Sequence, residues 1–134
     1  MSIPKEVKKE TIDLWYAETW KVALFTSASD CLTKSLYSDC SGEVSATGTG
    51  YVTGGAIVNK SAWGAGSNYV DTTNAMIDAT DTQWTAVTFT ARYAVVYNTV
   101  TSKIRCVKDF VSDKTVTGGT FIIQWNAGGI IKIS

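Results

Sequence analysis

The sequence predicts a mainly β protein, a single antiparallel β-sandwich of about seven strands led by a short N-terminal helix or arm. Three observations carry this expectation. From Thr19 onward the chain is rich in Thr, Val, Ile, Tyr and Trp, and its apolar residues recur at a period near two. Stretches rich in Gly, Ser, Asn and Asp interrupt these runs at short intervals. The single proline, Pro4, precedes all of them, so no expected strand lacks a ladder donor.

The first element is the arm, Pro4-Lys-Glu-Val-Lys-Lys-Glu-Thr-Ile-Asp-Leu-Trp15, which is charge-rich and built from good helix formers. Pro4 sits where a helix accepts it, in the first turn. Val7, Thr11, Leu14 and Trp15 form one weak apolar stripe. We read residues 1–16 as this arm and 17–134 as the sandwich, with no interdomain linker or internal repeat.

In the first strand, Thr19-Trp-Lys-Val-Ala-Leu-Phe-Thr26, both faces are fairly apolar, which places it centrally or under a cover. Residues 27–42 are Ser- and Asp-rich without sustained periodicity, and read as a loop with room for one helical turn. Further strands fit at 55–60, 74–79, 86–98, 103–110, 119–125 and 129–133. Turn chemistry separates them at 64–68, 78–81, 98–102, 112–114 and 126–129. In the longest strand, Val87, Phe89, Ala91, Tyr93, Val95 and Tyr97 read as the core face, opposite Thr88, Thr90, Arg92, Ala94, Val96 and Asn98. Asn98 to Ser102 then turns the chain back as a hairpin.

Length and composition bound the function. A chain of 134 residues, 45% of them hydrophobic, can bury one core. Twelve acidic residues balance twelve basic ones, so no net field draws in DNA or an anionic membrane. No apolar run approaches the length of a membrane-spanning helix, and the N-terminus carries charges where a secretory leader needs its apolar region. A chain made in a cytosol is the expectation. Cys31, Cys40 and Cys106 match neither a paired disulfide framework nor a metal knuckle, and read as reduced structural thiols. A bridge between Cys31 and Cys40 is the alternative, and needs an oxidising medium. Histidine is absent, which removes the usual general base and zinc ligand.

Three motifs invite a chemical reading. Glu43-Val-Ser-Ala-Thr-Gly-Thr-Gly-Tyr-Val-Thr-Gly-Gly55 has four glycines within eight positions, yet Thr53 stands where a dinucleotide fingerprint needs its third glycine and a strand pattern follows instead of a helix. We read it as a glycine turn, not a phosphate site. Asp71, Asp78 and Asp81 could hold calcium or act as an acid and base pair, but their Thr, Asn and Ala neighbours favour turns. No cofactor, metal site or catalytic set is expected. Of five tryptophans, Trp20, Trp84 and Trp125 fit the core. Trp15, Tyr16 and Trp63 are harder to bury, and exposed aromatics mark contacts with other proteins. The candidate protein-interface residues are therefore Val7, Leu14, Trp15, Tyr16, Trp63 and Tyr69, the last two also suiting a glycan platform.

Taken in order, Thr19-Trp-Lys-Val-Ala-Leu-Phe-Thr-Ser27, Gly42-Glu-Val-Ser45 with Gly48 to Gly55, Thr85-Ala-Val-Thr-Phe-Thr-Ala-Arg92 with Ala94-Val-Val-Tyr97, and Asp109-Phe-Val-Ser-Asp-Lys-Thr115 with Gly118 to Trp125 resemble a family of small β-rich virion structural proteins of tailed bacteriophages. The resemblance implies a structural, non-enzymatic role in many copies on a particle assembled in the host bacterial cytoplasm. Capsid decoration, cementing the head shell, is the leading station, and a neck, tail or host-glycan-binding module is the alternative. The implied partners are the major capsid protein, other virion proteins or further copies of the chain, and not nucleic acid or membrane.

Overall fold

The computed structural model describes residues 10–11, 14–61, 75–125 and 131–133. The protein is mainly β, as expected. Among the described residues the strands are β1 (Trp20–Phe25), β2 (Ala56–Ile57), β3 (Lys60–Ser61), β4 (Ala75–Ala79), β5 (Thr82–Asn98), β6 (Ile104–Ile123) and β7 (Ile131–Ile133). One antiparallel sheet has the order β2-β1-β5-β6, and a three-stranded sheet has the order β3-β4-β7.

β1 is covered on both faces, as its sequence requires. Successive side chains point to opposite sides of a strand, so an apolar strand with both faces filled needs two cores. Trp20, Val22 and Leu24 enter the larger one with Tyr51, Val58, Ala79, Trp84 and Phe89. Ala23 and Phe25 enter the smaller one with Cys31, Tyr93, Val95 and Tyr97. The loop after β1 closes that second core with Tyr37 and Cys40. It carries two 3-10 turns, Cys31–Thr33 and Tyr37–Asp39, where the sequence left room for one helical turn.

The hairpin at 98–102 is present. Asn98 Oδ1 accepts the Val100 and Thr101 amides at 2.8 and 3.1 Å, and Ser102 N donates to the Asn98 carbonyl at 2.8 Å. The asparagine side chain thus stands in for a ladder partner inside the turn.

The strand expected at 55–60 is instead two short strands in different sheets, β2 and β3. Two expectations change for the long strands. The strands expected at 103–110 and 119–125 are one strand, β6, of 20 residues. Ser112-Asp113-Lys114 does not reverse the chain but lies in a bulge. Ala91 pairs with Lys114 and Tyr93 with Asp109, so Arg92 alone opposes residues 110–113. Val111 accommodates the excess with φ of 72°. Turn-forming residues bend a strand without reversing it when the partner strand continues alongside.

The second change concerns β5, whose side chains do not alternate strictly along its 17 residues. Val87, Phe89 and Ala91 share the larger core with Ala94 and Val96, whereas Tyr93, Val95 and Tyr97 line the smaller one. The face changes at the register shift between Ala91 and Tyr93. An earlier shift, between Trp84 and Val87, includes Ala86 at φ 55°. That bulge lets both Trp84 and Val87 face one core and extends the strand back to Thr82. Trp84 and Phe89 then pack with Phe121 of β6 on one hand and Tyr51 on the other, at centroid distances from 5.2 Å (Phe89 to Phe121) to 6.4 Å (Tyr51 to Trp84). Such offset and edge contacts suit the aromatic quadrupole.

Candidate interaction site

The arm meets the sheet at a cluster of charges and aromatic rings. Residues 14–16 are helical, and the chain then turns, with Glu18 N donating to Trp15 O at 3.1 Å. Arg105, in β6, clamps the Glu18 carboxylate with Nε on Oε1 at 2.9 Å and a second nitrogen on Oε2 at 2.5 Å. Trp20 Nε1 donates to the same Oε1 at 2.8 Å, and Lys60 Nζ to the Glu18 carbonyl at 2.5 Å. Burial acts to raise the Glu18 pKa, but the hydrogen bonds from Arg105 and Trp20 and the Arg105 charge together hold it below the ordinary value. Burial pushes Lys60 below its ordinary value despite the nearby Glu18.

Each cation of this cluster also faces a ring. The Arg105 guanidinium lies 4.9 Å from the Trp15 centroid, and Lys60 Nζ lies 4.8 Å from that of Trp20 and 5.8 Å from that of Tyr16. An open cleft of about 320 Å³ runs beside them, walled by Tyr16, Trp20, Val58 and Lys60. At this junction an ion pair and three cation–ring contacts join the end of the arm, the first strand and β6.

The glycine segment is a second organised region, centred on Glu43. Tyr37 donates its hydroxyl to Glu43 Oε1 at 2.5 Å, and Tyr51 to Oε2 at 2.6 Å. Gly54 N also donates to Oε2, at 2.8 Å. The Tyr51 hydroxyl in turn accepts Leu24 N of β1 at 3.0 Å, and Tyr97 donates to the Gly54 carbonyl at 2.7 Å. Burial, then the hydrogen bond to Glu43, pushes the Tyr37 and Tyr51 hydroxyls well above their ordinary values. They stay protonated donors. Gly55, at φ 83°, brings the segment so close to β1 that a β-carbon there would lie 1.8 Å from the Val22 carbonyl oxygen. Gly50, at φ 81°, similarly approaches Ala86 O. The segment is a conformational device tied to the sheet.

The third feature is the outer side of β6, which among the described residues pairs with β5 alone and closes the order of its sheet, leaving that side free of a described strand. Residues 104–114 carry Arg105, Lys108, Asp109, Asp113 and Lys114, whereas residues 115–123 and the facing 82–91 carry no charge. Thr115, Thr117, Thr120 and Ile122 are exposed there, as are Gln83, Thr85, Thr88 and Thr90.

Of the interface residues expected from sequence, Leu14 is 71% exposed, while Trp15 and Tyr16 are half-buried against the larger core. Val7, Trp63 and Tyr69 lie outside the described residues, as does Asp71. Trp20 and Trp84 are buried, and Trp125 packs against the same core with Nε1 donating to Thr82 Oγ1 at 3.1 Å. Among the described residues no group of three His, Cys, Asp or Glu side chains could hold a metal ion. No helix among them is long and apolar enough to cross a membrane. Glu18, Lys60, Arg105 and Glu43 were not singled out by sequence, where each reads as an ordinary surface charge. No family model, curated protein or solved structure matches the chain.

Proposed function

We propose that the chain is a structural protein of a tailed-bacteriophage particle, most simply a capsid decoration protein that holds neighbouring subunits through the free side of β6 and the arm. The observation that carries this reading is the uncharged stretch of β6 from Thr115 to Ile123, which is paired on one side only among the described residues. A strand edge exposes backbone donors and acceptors that seek a partner, and long edges are ordinarily blunted by charge, bulges or a cover. Here the charges and the largest bulge stand in residues 104–114, and residues 115–123, bulged once at Thr117-Gly118, have only threonines, glycines and apolar residues. A strand added by a neighbour would satisfy those groups.

The virion setting rests on the resemblance of the segments from Thr19 to Trp125 to small β-rich virion proteins of tailed bacteriophages. The mechanism is mechanical: each contact across a subunit boundary stabilises the shell modestly, and a lattice of such contacts sums them. The partners are the major capsid protein, other virion proteins or further copies of this chain. Within the subunit we propose that the two sheets face each other as a sandwich. Ala79 of β4 is buried in the same core as Trp20, Val22 and Trp84 of the four-stranded sheet, which supports this packing.

Copy number tests the station. Quantitative mass spectrometry of purified particles should find hundreds of copies per particle. A few to a few dozen would replace capsid decoration with a neck or tail role, and none would overturn the virion reading.

A further inference from the structure

We infer that Cys31 and Cys40 form a paired thiol site that a small-molecule disulfide closes into an intramolecular bridge. The argument rests on how the two chain segments around them lie together. A β-carbon on Gly42 would lie 3.0 Å from Ser29 Cα, so the two α-carbons are within about 4.5 Å, one C–C bond further. One residue inward on both segments, Ser41 N donates to Asp30 Oδ1 at 2.8 Å. Residues 29 and 30 thus lie against 42 and 41, and the chain continues from there into Cys31, which opens one 3-10 turn, and Cys40, which follows the other, both against the smaller core. A bridge needs α-carbons about 4.4 to 6.8 Å apart, a separation of the same order as that between residues 29 and 42 next to them.

The surroundings agree with this pairing. Cys31 is fully buried in the smaller core, and Cys40 packs against that core while partly open to solvent. Burial, and after it the charge of an ionised Cys31, raise the Cys40 pKa. Cys106 packs against the larger core, on the other side of the sheet, and cannot compete.

The chemistry is thiol–disulfide exchange. The Cys40 thiolate, its proton lost to solvent, attacks one sulfur of oxidised glutathione and releases one glutathione thiol. The Cys31 thiolate then attacks the Cys40 sulfur of the mixed disulfide and releases the second. Two protein thiols lose two electrons and two protons, and one glutathione disulfide gains them. Burial holds Cys40 up at about 11, so exchange is slow at neutral pH and quickens in mild alkali. The product would tie the two 3-10 turns together beneath Tyr37.

The test treats the full native chain with oxidised glutathione, alkylates free thiols, and digests it with trypsin without reduction. Cleavage after Lys34 separates the cysteines, so the expected result is peptide 22–34 joined to peptide 35–60 with the mass of two hydrogens lost. The oxidised chain should melt at a higher temperature than the reduced one, and Cys40→Ser should show neither change. Mixed glutathione adducts alone, a bridge to Cys106 or between chains, or a lower melting temperature after bridging would overturn the assignment.

Discussion

Arg92 Nε donates to Asp109 Oδ1 at 2.8 Å across the point where β6 carries three more residues than β5 between paired positions. The same oxygen accepts Val111 N at 2.7 Å, so one carboxylate holds both the partner strand and the positive-φ residue of the bulge. Hydrogen bonds from Arg92 and from the Val111 amide lower the Asp109 pKa. Because the pair is solvent-exposed, its role is local geometry more than global stability. Asp109→Ala should leave the melting temperature nearly unchanged while speeding amide hydrogen exchange at residues 110–113. Unchanged exchange there would show that the bulge stands without the carboxylate.

Gly55→Ala tests the close approach of the glycine segment to β1. Its β-carbon meets the Val22 carbonyl in a backbone conformation that L-residues disfavour, so unfolding in denaturant should show a loss of about 3 kcal/mol or more. Gly118→Ala is the control, since φ there is 57° but nothing lies within 4 Å of the added carbon. It should cost about 1 kcal/mol. Equal losses would mean that the contact with Val22 is relieved by movement of the loop.

Phe89 and Thr88 test the face assignment next to the first bulge. Phe89 is 7% exposed and packs on Tyr51 and Phe121, so Phe89→Ala should destabilise by about 3 to 5 kcal/mol. Thr88 is exposed, and its hydroxyl accepts the Gly118 amide at 2.8 Å. Thr88→Ala should therefore cost about 1 kcal/mol or less. Similar losses at the two positions, measured by denaturant unfolding, would contradict the burial of Phe89.

Glu18 links stability to pH. Its pKa is lowered in the folded chain, so the clamp contributes fully above the unfolded value near 4.5 and is lost as pH falls through the lower folded value. The stability difference between the wild type and Glu18→Gln should stay constant from neutral pH down to about 4.5 and shrink below it. A difference that persists in strong acid would assign the effect to packing of the side chain and not to its charge.

Local signals in the sequence recovered what depends on local chemistry. β1 was recognisable because both of its faces are apolar, and the hairpin because Asn98 opens a run of turn residues. The bulges were not, since a bulge exists only relative to a partner strand. Ser112-Asp113-Lys114 has the same composition whether the chain reverses or merely bends, and only the continued pairing of β5 decides it. The same holds for the site. Trp15 and Tyr16 stood out as aromatics beside a charged arm, but Glu18 and Arg105 are 87 positions apart and each looks like a solvated charge until the sheet brings them together. Glu43 carried one available signal, a lone acid heading an uncharged glycine-rich stretch, and it is the residue that ties that stretch to β1 through Tyr51.

The free side of β6 is tested most directly by co-sedimentation with particles from which the chain has been stripped. Thr117→Lys combined with Thr120→Lys places charge on the uncharged half of the edge without touching either core. The wild type should pellet with the particles, and the double variant, with an unchanged melting temperature and β-sheet circular dichroism, should remain in the supernatant. A folded variant that pellets as fully as the wild type, or a wild type that never pellets, would contradict the proposal that this strand edge holds the neighbouring subunit.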